Sequence, residues 1–457
     1  MPDSDTDLRQ IVEVAPLVRS GDVAPVDLVR GCLERIEARR SVNAFIAVLL
    51  DSALDEAARA GAEIRGGRWR GPLHGIPVAV KDLIDVAGTR TTSGSAVPSL
   101  EAATDATVTR RLRDAGAIII GKTNLHEFAF GTTSEESAFG PVRNPLDETR
   151  SAGGSSGGSA AALAAGMCFG AVGTDTGGSI RIPSAACGTV GLKPGYGELP
   201  TDGIVPLSAT LDHVGPMARS VADAALLFHA MQGLEPRGVA PPTGRLLIGV
   251  CNSYFCDQVD DDVAAAIGGA RNGLAAAGHE VKEVEIEDVR ATPDAYLHIV
   301  LPEASWYHAP LLERHASSYS PGVRLRLEMG GYVFAEDYLR ALKIRDALTL
   351  RVDRALDGCD ALLVPTQPMG APPLGAASVE INGRSEPIRA AMLRLTQLFN
   401  LTGHPAIALP AGRGHDGLPR SLQLVGRRGE TERLLATAAA VADQISGGAG
   451  SVGGGTG

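Results

Sequence analysis

A chain of 457 residues is long enough for one large domain or two to three average ones, and 44% apolar with 21% charged residues is the composition of a globular enzyme. Its net charge of −11 works against nonspecific association with nucleic acid or anionic lipid, so neither is expected as a partner. The acidic start Met1-Pro-Asp-Ser-Asp-Thr-Asp lacks the apolar core of a secretory signal, and the longest uncharged stretch, Ser151–Thr174, is broken by glycines before it can span a bilayer. A cytoplasmic protein without membrane contact is expected.

The opening segment reads as helical: Pro25-Val-Asp-Leu-Val-Arg-Gly-Cys-Leu-Glu-Arg-Ile spaces Val26, Val29, Leu33 and Ile36 on one face, with proline in the first turn. Asn43–Leu50 follows as a strand and Asp51–Arg65 as an alanine-rich helix. Ile76–Val80 is a short apolar strand that ends at Lys81. Thr107–Ala115 keeps a helical period, Gly116 stops it, and Ala117–Ile120 continues as a buried strand. Asn144–Arg150 reads as a turn, Ser159–Gly166 as a helix and Phe169–Gly173 as a strand. Arg245–Val250, Glu280–Ile286, Ala361–Pro365, Ala406–Leu409 and Leu422–Val425 are further strand candidates. Val259–Ala277, Pro387–Phe399 and Thr431–Gln444 are helix candidates. Strands alternating with helices predict a single α/β domain with a mostly parallel or mixed sheet. Pro236–Thr243 is expected as a surface loop, and the glycine- and serine-rich tail 446–457 as disordered. Of six scattered cysteines only Cys251 and Cys256 lie close together, so buried reduced thiols are expected rather than a zinc site or disulfide.

Two glycine loops carry the chemical signal. The first is Ser151-Ala-Gly-Gly-Ser155-Ser156-Gly-Gly-Ser159. The second, Gly173-Thr-Asp-Thr-Gly-Gly-Ser179-Ile-Arg181-Ile-Pro183, surrounds a serine hydroxyl with backbone N–H groups that can hold an oxyanion. A serine needs a base, and a lysine serves only when neutral, which requires desolvation or a nearby positive charge. Lys81 closes the apolar run Gly75–Val80. Of 42 basic residues only five are lysine, so a lysine kept in an apolar context invites a chemical reason, because arginine does not release its proton. Against this stand a strand-end lysine paired with Asp82 or Asp85, and a second mechanism: Gly-x-Ser-x-Gly is satisfied at Ser155 or Ser156, as in the nucleophile elbow of an α/β-hydrolase-type esterase. The elbow needs a strand directly before it and leaves the second loop unexplained. P-loop and dinucleotide fingerprints are both absent.

The ordered set Gly75-Ile-Pro-Val-Ala-Val-Lys81-Asp, Gly121-Lys-Thr-Asn, Phe139-Gly-Pro-Val-Arg-Asn-Pro145, the two glycine loops, Gly191-Leu-Lys-Pro194 and Leu211-Asp-His-Val-Gly-Pro-Met-Ala-Arg219 resembles the amidase signature family. The resemblance is strongest over about 74–195 and extends more weakly to Gln423. It implies one domain over 1–445, a large twisted sheet covered by helices on both faces, and a serine–serine–lysine triad. Ser179 would form the acyl-enzyme, Ser155, in a cis peptide, would relay the proton, and Lys81 would be the base. Thr176, Gly177, Gly178 and Ser179 would supply the oxyanion N–H groups. Ser156, Asp175 and Arg181 would support the geometry. By the same analogy Gly131, Thr132, Thr133 and Ser134 would line the acyl side of the pocket. Residues 290–345, with Trp306, Tyr307, Tyr319 and Tyr332, would cover the leaving-group side. No cofactor or metal is implied, the partner is a small amide or carbamate, and a homodimer is left open.

Family members cleave amides, anilides, esters and carbamates, and one branch is the glutaminase (A) subunit of the tRNA-dependent amidotransferase. Glu127–Asn144 resembles that branch closely. Its acidic-Pro-x-x-Met-Tyr segment is missing, however, and Glu380-Ile-Asn-Gly-Arg-Ser-Glu-Pro-Ile-Arg389 stands there instead. Gly197–Leu207 also resembles the stand-alone amidases more. A non-catalytic binding protein would not need all three triad positions, which this chain retains.

Overall fold

The computed structural model describes residues 9–447. Fifteen strands occur among them: β1 (Phe45–Val48), β2 (Pro77–Lys81), β3 (Ile118–Thr123), β4 (Arg143–Asn144), β5 (Asp147–Ser151), β6 (Gly170–Asp175), β7 (Val190–Lys193), β8 (His213–Ala218), β9 (Leu247–Val250), β10 (Glu280–Glu283), β11 (Ala361–Pro365), β12 (Ser378–Ile381), β13 (Arg384–Pro387), β14 (Ala406–Arg413) and β15 (Pro419–Val425). Eleven build one sheet in the order β1-β3-β2-β6-β8-β7-β14-β15-β11-β9-β10, while β4–β5 and β12–β13 are separate ladders.

The sheet is mixed. Parallel pairing is confined to β2 with β3 and β6, and to β9 with β10 and β11; the other neighbours run antiparallel. The antiparallel centre rests on β7 and β8, neither predicted from the sequence. β8 contains Gly215-Pro216, a pair that argues against a central strand, yet Pro216 sits opposite Val172 of β6 in register.

Every residue of β2, β3, β6, β7, β8, β11 and β15 is buried. Covering both faces explains why β2 and β3 read as continuous apolar runs rather than alternating ones. One contiguous apolar cluster runs from Ile11 to Ile445. The first helix, Ile11–Ser20, is tied into it by charge. Asp223, in the helix Val221–Gln232, accepts the N–H groups of Ile11 at 2.9 Å and Val12 at 3.0 Å, placing a carboxylate at that helix's positive end.

Three long helices, Thr292–His315, Pro321–Gly330 and Ala335–Ala355, fill a region where no helix was predicted. The expected helix Pro387–Phe399 is broken into Ile388–Arg394 and Leu398–Leu401. The break turns Leu395 and Thr396 inward, where the Leu395 carbonyl accepts Gln423 Nε2 at 2.8 Å. Asn144–Arg150 is a hairpin rather than a plain turn, built from β4 and β5. Ser446 and Gly447 finish the last helix, Thr431–Gly447; the rest of the expected tail lies outside the described residues. All six cysteines are free thiols, five of them buried. No helix among the described residues is long and apolar enough to cross a membrane.

Candidate active site

Lys81 ends β2 at the carboxyl edge of the parallel part of the sheet, with β3 on one side and β6 on the other. Its side chain has no exposed surface. Nζ lies 2.7 Å from Ser155 Oγ and 2.9 Å from Thr174 Oγ1. Burial lowers its pKa from 10.5 to about 7, against the opposing charges of Asp175 and Asp212. The alternative pairing with Asp82 does not occur, because Asp82 is taken by Lys122 at 2.9 Å. Lys193, also fully buried, donates to the carbonyls of His404 (2.6 Å) and Pro194 (3.0 Å). Three of the five lysines are thus enclosed, and only Lys81 meets a serine hydroxyl.

The first glycine loop follows β5 and leads into the helix Gly157–Ala164. The Gly154–Ser155 peptide is cis. The Ser155 carbonyl accepts from the His126 N–H and from Ser134 Oγ, each at 3.1 Å. Ser156 stitches this loop to the second one: its N–H donates to the Ser179 carbonyl at 3.1 Å, and its hydroxyl donates to the Thr174 carbonyl at 3.2 Å. The strand before the loop belongs to a two-stranded ladder outside the main sheet. Among the described residues no histidine side chain bonds to Ser155, Ser156 or Ser179.

In the second loop the chain leaves β6 at Asp175, a buried carboxylate that organises the turn beyond it. Its Oδ2 accepts from the Ile180 N–H (3.1 Å) and Arg181 Nε (3.0 Å), and its Oδ1 from Arg181 Nη2 (3.0 Å) and Asn400 Nδ2 (2.8 Å). Burial would raise the Asp175 pKa, but the charge and bonds of Arg181 carry it well below the ordinary value. Arg181 also donates to Gln423 Oε1 (2.9 Å) and Asn400 Oδ1 (2.7 Å), so four of its five N–H groups are bonded. Both groups of this ion pair are therefore buried and paired.

Ser179 keeps 5% of its surface exposed, whereas Lys81 and Ser155 keep none. The backbone N–H groups of Gly177, Gly178 and Ser179 meet no acceptor among the described residues. Gly178 has φ of +141°, and a Cβ there would stand 2.3 Å from Thr396 Oγ1, so only glycine fits. Thr396 Oγ1 donates to the Gly177 carbonyl at 2.6 Å, which turns that carbonyl away from the unspent N–H groups.

Several participants escaped the sequence reading. Thr174 holds Lys81, and Thr396, Asn400 and Gln423 hold the loop. Asp212 accepts Thr176 Oγ1 at 2.5 Å, and burial pushes its pKa up to about 6. Thr174 lies in the second glycine loop as quoted from the sequence, near the end of β6; the others lie too far away in sequence to leave a local signal.

The expected substrate-contacting segments are brought to the same edge, with different roles. Thr132 and Thr133 are nearly enclosed, and Ser134 is fully buried. Ser134 spends its hydroxyl on the first loop, accepting the Gly157 N–H at 3.1 Å besides bonding Ser155. Gly131 packs directly under the His126 ring. A cavity of about 90 Å³ adjoins Thr174, Thr176, Asp212 and Ala129. A groove of about 330 Å³ shares Pro206, Leu207 and Ala209 with it and continues to Trp306, Tyr307 and Tyr338. Tyr319 instead lies in the core against Phe128 and His308, and Tyr332 points outward, 84% exposed. No group of three or more His, Cys, Asp or Glu side chains among the described residues could hold a metal ion.

A family model described as Amidase matches residues 27–435. An amidase from Pseudomonas putida is 40% identical over 93% of both chains. The glutamyl-tRNA(Gln) amidotransferase (A) subunit of Koribacter versatilis (strain Ellin345) is 35% identical over 89% of this chain and 92% of its own. The crystal structure of an amidase, 39% identical, superposes with a TM-score of 0.90 over 94% of this chain and 98% of that one. With a buried lysine on a serine, two stitched glycine loops and this likeness along nearly its whole length, the chain belongs to the amidase family and is an amide-hydrolysing enzyme.

Proposed function

We propose that the protein hydrolyses small amides, and by the same chemistry anilides, carbamates or esters, through an acyl-enzyme on Ser179. Ser179 Oγ attacks the carbonyl carbon while its proton passes to Ser155 Oγ, and the Ser155 proton passes to neutral Lys81 Nζ. The negative oxygen of the tetrahedral intermediate is held by the N–H groups of Thr176, Gly177, Gly178 and Ser179. The lysinium then returns the proton through Ser155 to the leaving nitrogen, and the amine departs. Water attacks the ester with the same relay and releases the carboxylic acid. Asp175, Arg181 and Ser156 hold the loops and take no part in the chemistry.

The observation that carries this reading is the fully enclosed Lys81 Nζ, 2.7 Å from Ser155 Oγ, with burial bringing it to about 7. A base of that kind is neutral in half the molecules at neutral pH. The exposure of Ser179 supports its being the serine that meets substrate. The groove over Trp306 and Tyr307 supports an apolar leaving group on that side. The missing acidic-Pro-x-x-Met-Tyr segment favours a single-chain amidase over an amidotransferase subunit.

Labelling with a fluorophosphonate followed by peptide mass spectrometry is expected to place the adduct on Ser179 and to find none in Ser179→Ala. An adduct on Ser155 or Ser156 would support the elbow mechanism instead. The purified single chain, treated with chelator, should hydrolyse a neutral anilide and prefer it to glutamine. Glutamine hydrolysis that appears only with amidotransferase partner subunits would overturn the stand-alone assignment.

A further inference from the structure

The segment 206–210 separates the cavity beside Thr174 and Thr176 from the groove over Trp306, and a carboxylate grips it from each of those two spaces. Asp212, lining the cavity, accepts the N–H groups of Leu207 at 2.9 Å and Ser208 at 3.1 Å besides Thr176 Oγ1. Glu303, lining the groove, belongs to the helix Thr292–His315. Its Oε2 accepts the Ser208 hydroxyl at 2.6 Å and the Thr210 N–H at 3.1 Å, and its Oε1 accepts Thr210 Oγ1 at 2.7 Å. A fourth donor, the Tyr338 hydroxyl of the helix Ala335–Ala355, reaches Oε1 at 2.9 Å. The Tyr196 hydroxyl donates to the Ala209 carbonyl at 2.8 Å and completes the tethering of the segment.

Four donors fill the acceptor capacity of the Glu303 carboxylate, and only an ionised carboxyl, which accepts at both oxygens and donates at neither, can take all of them. Its position makes it more than a brace. The groove has two walls. Pro206, Leu207 and Ala209 form one, and the same three residues also close the cavity; Trp306 and Tyr307, with Tyr338, form the other. Glu303 is rooted in the second wall and bonded to the first, so its four bonds fix the distance between them. Trp306, one helical turn further on, is 81% exposed and anchors little of itself in the core. The wall it belongs to therefore needs a fixed point, and Glu303 is the residue on that helix which supplies one.

We infer that Glu303 is a positioning residue for the leaving group: it holds the segment 206–210 against the helix Thr292–His315 at one width, and that width selects flat aromatic amines over broader ones. A ring held between aromatic side chains on one wall and proline and leucine on the other gains contact on both faces, whereas a bulkier group must force the walls apart. The inference rests on the amidase reading above and deepens it by naming what sets the leaving-group preference. Glu303 touches neither the reacting atoms nor the proton relay; it acts through Ser208 and Thr210.

The test uses one acyl group on three leaving groups: aniline, 3,5-di-tert-butylaniline, which differs from it in breadth far more than in basicity, and methanol, which is too small to occupy the groove. The plain anilide should be favoured over the broad one roughly ten- to hundredfold in kcat/KM by the wild type. Glu303→Gln turns an amide N–H₂ towards groups that are themselves donors, and should bring that ratio to within about threefold. In the same variant the plain anilide should lose roughly tenfold, mainly through KM, and the methyl ester less than about threefold. Tyr338→Phe removes one of the four donors, keeps the ring, and should move the ratio part of the way. Thermal melts identify which variants keep the fold, and Tyr338→Phe carries the test if Glu303→Gln does not. A wild-type ratio near one, a ratio unchanged in every folded variant, or equal losses on ester and anilide would overturn the inference. Hydrolysis with Ser179 labelled, but without the preference for the narrower amine, would sink this assignment alone. No hydrolysis of any of the three together with absent labelling would sink the amidase mechanism itself.

Discussion

The protonation state of Lys81 is the sharpest test of the catalytic reading. A lysine with the ordinary pKa of 10.5 is neutral in about three molecules in ten thousand at pH 7; at about 7 it is neutral in half. Burial therefore raises the reactive fraction by roughly a thousandfold. The kcat/KM for a neutral anilide, measured from pH 5 to 10, should climb about tenfold per unit below neutrality and level off above it. Lys81→Arg should lose at least about a thousandfold across the whole range, since a guanidinium stays protonated. The same burial acts on stability with a definite sign. Between the folded value of about 7 and the unfolded value of 10.5 the unfolded chain binds the extra proton, so stability rises with pH through that window. The slope is about 1.4 kcal/mol per unit. Lys81→Met should remove the Lys81 share of that rise in urea titrations and leave the share of Lys193, whose pKa burial also lowers. A rate profile flat through neutrality or inflecting above pH 9 would refute the reasoning, as would Lys81→Arg with more than a tenth of wild-type activity.

Two further outcomes rest on the second glycine loop. Arg181→Met leaves the enclosed Asp175 carboxylate without its ion partner, and urea unfolding should show a loss of about 3–5 kcal/mol; adding Asp175→Asn should recover part of it, and a single variant as stable as wild type would refute the role given to the pair. Gly178→Ala forces a Cβ onto Thr396 Oγ1 at a backbone angle alanine resists. Its kcat should fall at least about a hundredfold, the scale of losing an oxyanion donor, and near-normal kcat would show that these N–H groups are not used.

Some of this was legible in the chain itself. Lys81, Ser155 and Ser179 each announce themselves through neighbours within a few positions: an apolar run before the lysine, glycines around the serines. Strands such as β2, β6 and β11 show in short apolar runs for the same reason, since a strand buried on both faces needs no partner to be recognised. β8 was not legible, because Gly215-Pro216 argues locally against a strand and only the register against β6 makes it one. The helices over 292–355 escaped as well. Thr292–His315 carries two internal prolines, and its apolar residues form no single stripe.

The sequence by itself determined which groups are available and their order, because the serines and the lysine proposed as nucleophile, relay and base are marked by short-range pattern. Tertiary structure alone decided what those groups are. Lys81 is suited to the base role proposed for it because β2 is enclosed and Asp82 has been given to Lys122. The second glycine loop keeps its shape because Thr396, Asn400 and Gln423, more than 200 residues downstream of it, take up its carbonyl and its ion pair. Desolvation and pairing belong to a residue's surroundings, and those surroundings are assembled from chain segments that share no local pattern.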